Sequence, residues 1–69
     1  MSKTLEELGY EKEHGKSYTV YNKPIGEDGL LYKSITFWEK DKIVRIDTQI
    51  ITMEELKAIY QYCIDNKWI

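Results

Sequence analysis

The chain has 69 residues, below the ~70–80 at which one hydrophobic core comfortably supports a fold unaided, so residues 1–69 are read as one domain. Apolar residues make up 42% and charged residues 32%, with two Trp, six Tyr and one Phe, which excludes a disordered chain. The net charge of −2 excludes a dedicated polybasic binder of nucleic acid or membrane; the single cysteine excludes an internal disulfide framework, and with the single histidine it leaves too few soft ligands for structural zinc.

The first local signal is Thr4 followed three residues later by Glu7, the spacing of a capping box. Gly9 stands where a left-handed cap residue belongs, so a short helix of about one and a half turns is expected, with Leu5 and Leu8 on one face and Tyr10 touching Leu5 beyond the glycine. Residues 11–16 read as a polar connector. Residues 17–22 alternate as a strand, with Tyr18 and Val20 expected inward and Thr19 and Tyr21 outward. Lys23 to Gly29 is punctuated by one proline and two glycines and reads as a loop, with Asp28-Gly29 as its turn pair.

Leu30 to Glu39 reads as a longer strand, with Leu31, Ile35 and Phe37 on one face and Tyr32, Ser34, Thr36 and Trp38 on the other. Lys40-Asp41-Lys42 turns the chain into a third strand from Ile43 to about Thr48, with Val44 and Ile46 inward and Ile43, Arg45 and Asp47 outward. Thr52 and Glu55 form a second capping box, with Ile51 and Leu56 at the positions of a hydrophobic staple. At ~100° per residue, Met53, Leu56, Ile59, Tyr60, Cys63 and Ile64 gather on one stripe, the expected buried face of an amphipathic helix. Trp68 and Ile69 are expected to close the rim of the core. The expected fold is α+β and two-layered: a three-stranded antiparallel meander with a short N-terminal and a longer C-terminal helix on one face.

That leaves one sheet face open. Its expected occupants include Tyr21, Tyr32, Trp38 and Arg45, the residue types that dominate binding hot spots because they bury large areas and keep a polar handle. Strand propensity and cross-strand pairing explain the same residues without any partner. Aromatics beside an arginine also suit stacking of single-stranded nucleic acid, a reading that the acidic net charge opposes. Pairing of two copies through the open face is a third reading.

Catalysis has little to stand on. Glu11-Lys12-Glu13-His14 sets a histidine among carboxylates in a solvated connector, and Cys63 falls on the expected buried stripe. No phosphate cradle, nucleophile elbow or zinc-protease motif occurs, so no enzyme, cofactor or metal is expected. Glu54, Glu55 and Asp65 beside Tyr62 form a second possible contact surface, equally readable as a solvated helix face. The first residues lack the apolar centre of a secretion signal, and no run approaches the roughly 20 apolar residues of a membrane span.

Two stretches, Leu5-Glu6-Glu7-Leu8-Gly9-Tyr10-Glu11 and Ile51-Thr52-Met53-Glu54-Glu55-Leu56-Lys57-Ala58-Ile59, resemble those of small uncharacterised proteins from phages and prophages of low-GC Gram-positive bacteria. The resemblance covers both ends well and the middle loosely, and it carries no catalytic residues. It implies a cytoplasmic accessory protein of a mobile element, made in a bacterial host; taken with the aromatic open face and the lack of a catalytic constellation, the expected function is non-catalytic binding of a host or phage protein.

Overall fold

The computed structural model describes residues 3–27, 31–48 and 50–69. The fold is α+β: an antiparallel sheet with one C-terminal helix laid on it. Among the described residues the sheet has four strands, β1 (Glu11–His14), β2 (Tyr18–Ile25), β3 (Leu31–Trp38) and β4 (Ile43–Asp47), in the order β1-β2-β3-β4, and the helix α1 spans Met53–Asp65. Three strands and two helices were expected. The additional strand is β1, in the stretch read as a connector. All four of its residues are exposed, so no burial alternation marks it. Charged side chains on an edge strand also discourage pairing with other chains.

The N-terminal helix shrinks to a single turn because its two caps meet. Thr4 Oγ1 accepts from Glu7 N at 3.1 Å and Glu7 Oε1 accepts from Thr4 N at 3.0 Å, as a capping box requires. Tyr10 N donates to Leu5 O and Gly9 N to Glu6 O, with Gly9 at φ +99°, which is a Schellman ending. Only Leu5 to Leu8 lie between the caps. The turn delivers Leu5 and Tyr10 into the core, on the same sheet face as α1.

Strand β2 runs through Lys23, Pro24 and Ile25, which were expected in a loop. Proline is tolerated there because β1 ends opposite Asn22, so at Pro24 the strand is paired only with β3, and the side lacking an N–H meets no neighbour. The Asp28-Gly29 turn pair and Leu30 lie outside the described residues.

The phase of β2 is opposite to expectation. Cross-strand partners share a face, and Tyr21 pairs with Ile35 while Thr19 pairs with Phe37. Ile35 and Phe37 are fully buried, so Thr19 and Tyr21 point into the core and Tyr18 and Val20 point away. A strand whose two faces are similarly apolar carries no internal signal for its phase; the register with β3 decides it. On β3 itself Leu31 is exposed, beyond the reach of the core.

Helix α1 is rotated by one residue, about 100°, from the expected stripe. It buries Glu55, Ala58 and Ile59 and packs Tyr62 and Cys63 against the core. Met53 (67% exposed), Leu56 (48%) and Tyr60 (58%) lie outside, and Ile64 joins them. The cause is Glu55, which is only 3% exposed. Its Oε1 accepts from Lys33 Nζ at 2.6 Å and from Thr52 N at 2.9 Å, and Oε2 accepts from the Tyr10 hydroxyl. Lys33 sits on the inner face of β3 between Leu31 and Ile35, and it draws the carboxylate down to the sheet. Farther along, Phe37 stacks on Tyr62 with ring centroids 3.8 Å apart, and Tyr21 and Trp68 meet these rings edge-on. Trp68 thus closes the rim as expected, whereas Ile69 is exposed.

Burial would push the Glu55 carboxyl upward, but donation from Lys33, Tyr10 and Thr52 outweighs it and holds the group down at about 2. A carboxyl depressed in the folded state stabilises fully above its ordinary 4.5, and that contribution is lost as pH falls from there towards 2. An acid titration followed by circular dichroism is therefore expected to show a loss on the order of 3 kcal/mol across this window. Glu55→Gln is expected to flatten that dependence and to destabilise by ~3–5 kcal/mol, because it strands the Lys33 ammonium. Lys33→Met added to Glu55→Gln should recover much of the loss. The helix rotation has its own check: Ile59→Ala should cost ~2–5 kcal/mol and Leu56→Ala under about 1 kcal/mol in urea denaturation.

Candidate functional site

The sheet face opposite α1 is covered by no other element among the described residues. Register places its side chains in cross-strand rows. Tyr18, Trp38 and Ile43 form one row, Glu13, Val20, Thr36 and Arg45 the next, and Glu11, Asn22, Ser34 and Asp47 a third; Pro24 and Tyr32 follow. Of the four residues expected to form a site, Tyr32, Trp38 and Arg45 stand on this face. Tyr21 does not: it is 5% exposed on the core side.

The three that remain divide into two places. Tyr32 and Trp38 are six residues apart on β3, ~20 Å at a strand's rise, so they cannot grip one small epitope. Trp38 has closer company. Its ring centroid lies 5.3 Å from that of Tyr18 at a 49° tilt, Ile43 completes the row, and Arg45 is a diagonal neighbour. The pair Arg45 Nε–Asp47 Oδ1 at 3.3 Å is solvent-exposed and holds the guanidinium along the strand. Tyr18 and Ile43 thus supply much of the apolar surface beside Trp38. Ile43 was already expected outward, and Tyr18 was displaced only by the phase of β2.

Gly15 shapes this cluster. A Cβ at residue 15 would stand 2.1 Å from Tyr18 Cε1, so the absence of a side chain lets the Tyr18 ring lie across the β1–β2 turn. The turn closes with Gly15 N donating to Tyr18 O at 2.9 Å.

Two polar groupings lie elsewhere. Thr19 Oγ1 donates to Glu39 Oε1 at 3.1 Å and lies 3.2 Å from His14 Nδ1. A nucleophile needs its hydroxyl exposed and donating to the imidazole; here the hydroxyl is buried and donates to a carboxylate. The grouping ties the β1–β2 hairpin end to the β3–β4 turn. Between the N-terminal turn and α1 lies a groove of about 250 Å³ floored by Tyr21 and Tyr62, with Lys12, Gln61 and Asp65 at its rim. Burial, with Tyr62 and Glu6 nearby, pushes the Tyr21 phenol up to about 12, and Lys12 Nζ stands 6.0 Å from its ring centre. Burial likewise raises the Cys63 thiol, which leaves it protonated and poorly nucleophilic near neutrality. The second contact surface expected on α1 loses two members, since Glu55 is buried and Tyr62 is stacked on Phe37.

No helix among the described residues is long and apolar enough to cross a membrane, and no group of three or more His, Cys, Asp or Glu side chains there is placed to hold a metal ion. No protein-family model, curated protein or solved structure matches the chain.

The dependence of the Tyr18–Trp38 pair on Gly15 is testable by NMR. Gly15→Ala should swing the Tyr18 ring off Trp38, shifting the Trp38 indole N–H signal while that of Trp68, on the other face, stays in place. Equal movement of both signals would show a global change instead.

Proposed function

We propose that this chain is a non-catalytic accessory protein of a phage or prophage, working in the bacterial cytoplasm and binding a host or phage protein through its open sheet face. The observation that carries this reading is the row Tyr18–Trp38–Ile43: two rings in contact and a half-exposed aliphatic, flanked by Arg45, on a face that no other described element covers. Large amphipathic rings held rigid by a sheet lose little entropy on binding, and their edges keep a polar contact for specificity. The phage reading rests on the resemblance of the two end motifs, and the uncovered row supports the binding role.

A polypeptide suits the face better than a nucleic acid. Its charged positions are Glu11, Glu13, Asp47 and Arg45, so acids outnumber bases where a phosphate backbone would run.

The reading is tested by affinity capture from lysate of a low-GC Gram-positive host, with wild-type chain and Tyr18→Ala/Trp38→Ala as paired baits. A specific partner should be held by the first and lost by the second, with the fold of the variant verified by circular dichroism. Truncating Tyr32, at the far end of β3, should weaken capture by less than tenfold. Retention of every specific partner by the Tyr18→Ala/Trp38→Ala variant would remove this face from the function.

A further inference from the structure

The rotation of α1 leaves an apolar strip outside the core. Met53, Leu56, Tyr60 and Ile64 fall within about 80° of the helix circumference, and all four are exposed. The opposite flank of α1, with Ala58, Gln61 and Asp65, faces the groove shared with the N-terminal turn and Lys12 of β1. Met53 and Ile64 lie about 160–180° round the helix from the sheet-facing Glu55 and point away from the sheet, while Leu56, beside Ile59 and Cys63, is the member turned towards the β4 side. There Ile46, on the core face of β4, is 38% exposed although its partner Ile35 is fully buried.

The two sheet edges are built differently. The β1 edge is Glu-Lys-Glu-His, exposed throughout. The β4 edge is Ile-Val-Arg-Ile-Asp, and it pairs with no further strand among the described residues. An apolar edge strand beside an apolar helix flank offers backbone and side-chain contacts together.

We infer that this edge is a two-fold interface, in which β4 of one copy pairs antiparallel with β4 of a second about Ile46. Charge complementarity selects both the occupant and the register. A two-fold axis at Ile46 sets Arg45 of each copy opposite Asp47 of the other, Ile46 against Ile46, and Val44 opposite Thr48. An axis at Arg45 would place the two guanidiniums face to face, and an axis at Val44 would set Lys42 opposite Ile46. Only the Ile46 register joins opposite charges on the open face and apolar side chains on the core face. Leu56 (48% exposed) and Ile46 (38%) are the large aliphatic side chains at this edge. The core of the single copy is small, with seven buried apolar side chains among the described residues, and the lone cysteine excludes an internal disulfide. Oligomerisation is a common support at this size. The pairing shares Arg45 with the flank of the proposed partner-binding row, but Tyr18 of β2 and Trp38 of β3 take no part in it, so different substitutions test the two.

Sedimentation equilibrium on the full chain, from about 1 μM to 1 mM, decides the matter. The mass should rise with concentration from 8.3 kDa towards twice that value. Arg45→Asp and Asp47→Arg should each weaken the dissociation constant at least tenfold although they move net charge in opposite directions. The double exchange Arg45→Asp/Asp47→Arg should restore it to within about threefold. Leu56→Lys, at a half-exposed helix position, should also weaken pairing, and Trp38→Ala should not. Circular dichroism verifies that each variant is folded. A monomer throughout the range would overturn the inference. So would a dimer indifferent to the charge reversals or to Leu56→Lys, and so would one broken by Trp38→Ala, which would place the interface on the open face.

Discussion

The carboxylate of Glu55 connects three segments of the chain. It caps its own helix through Thr52, pairs with Lys33 of β3, and accepts the hydroxyl of Tyr10, which the N-terminal turn carries inward. A buried charge is costly unless each lone pair finds a donor, and here the three donors come from three different segments. Helix, sheet and N-terminal turn thus meet at one polar point, and the aromatic cluster around Phe37 packs beside it. The geometry follows from a residue with two tasks: position N3 of a capping box, and the partner of an inward lysine.

What was legible in the sequence was what is local. Both capping boxes, the left-handed Gly9 and the polar turn before Ile43 are specified within a few residues, and the structure forms them. Ile35 and Phe37 mark the inner face of β3, which correctly put Tyr32 and Trp38 outside, and Val44 and Ile46 did the same for Arg45 on β4. What failed was non-local. The phase of β2 rests on its register against β3, which the strand's own composition does not encode, and Tyr21 changed faces with it. Strand β1 has no buried residue to announce it. Lys33 stood on the inner parity of β3 in plain view. A lysine between Leu31 and Ile35 demands an acidic partner across the layer, and that demand would have pointed to Glu55.

The two faces of the sheet divide the work by chemistry. The inner face carries the aromatic cluster and the polar cluster around Glu55, both enclosed by α1 and the N-terminal turn. The outer face carries Tyr18 and Trp38, whose mutual packing stabilises the hairpin ends and leaves one side of each ring in water. Removing a ring from the inner set opens a cavity, whereas removing one from the outer set mainly changes what the surface can hold.

Helix α1 has two apolar stripes, one centred on Ala58 and Ile59 and one on Leu56 and Tyr60, and hydrophobicity alone favours burying the second. Rolling the helix by one residue would do so. It would also swing Glu55 away from the sheet, leaving the Lys33 ammonium and the Tyr10 hydroxyl without their acceptor in a nearly dry site. Rolling would also turn Tyr62 off Phe37, so the cost of an unpaired buried charge, several kcal/mol, and the lost aromatic stack together oppose the gain from burying the other stripe. The polar cluster and the Tyr62 stack therefore select the rotation that buries the smaller apolar stripe and leaves the larger one on the surface. The exposed strip is thus a consequence of how the core is fixed, and the same ion pair that orders the inside determines what the outside has to offer.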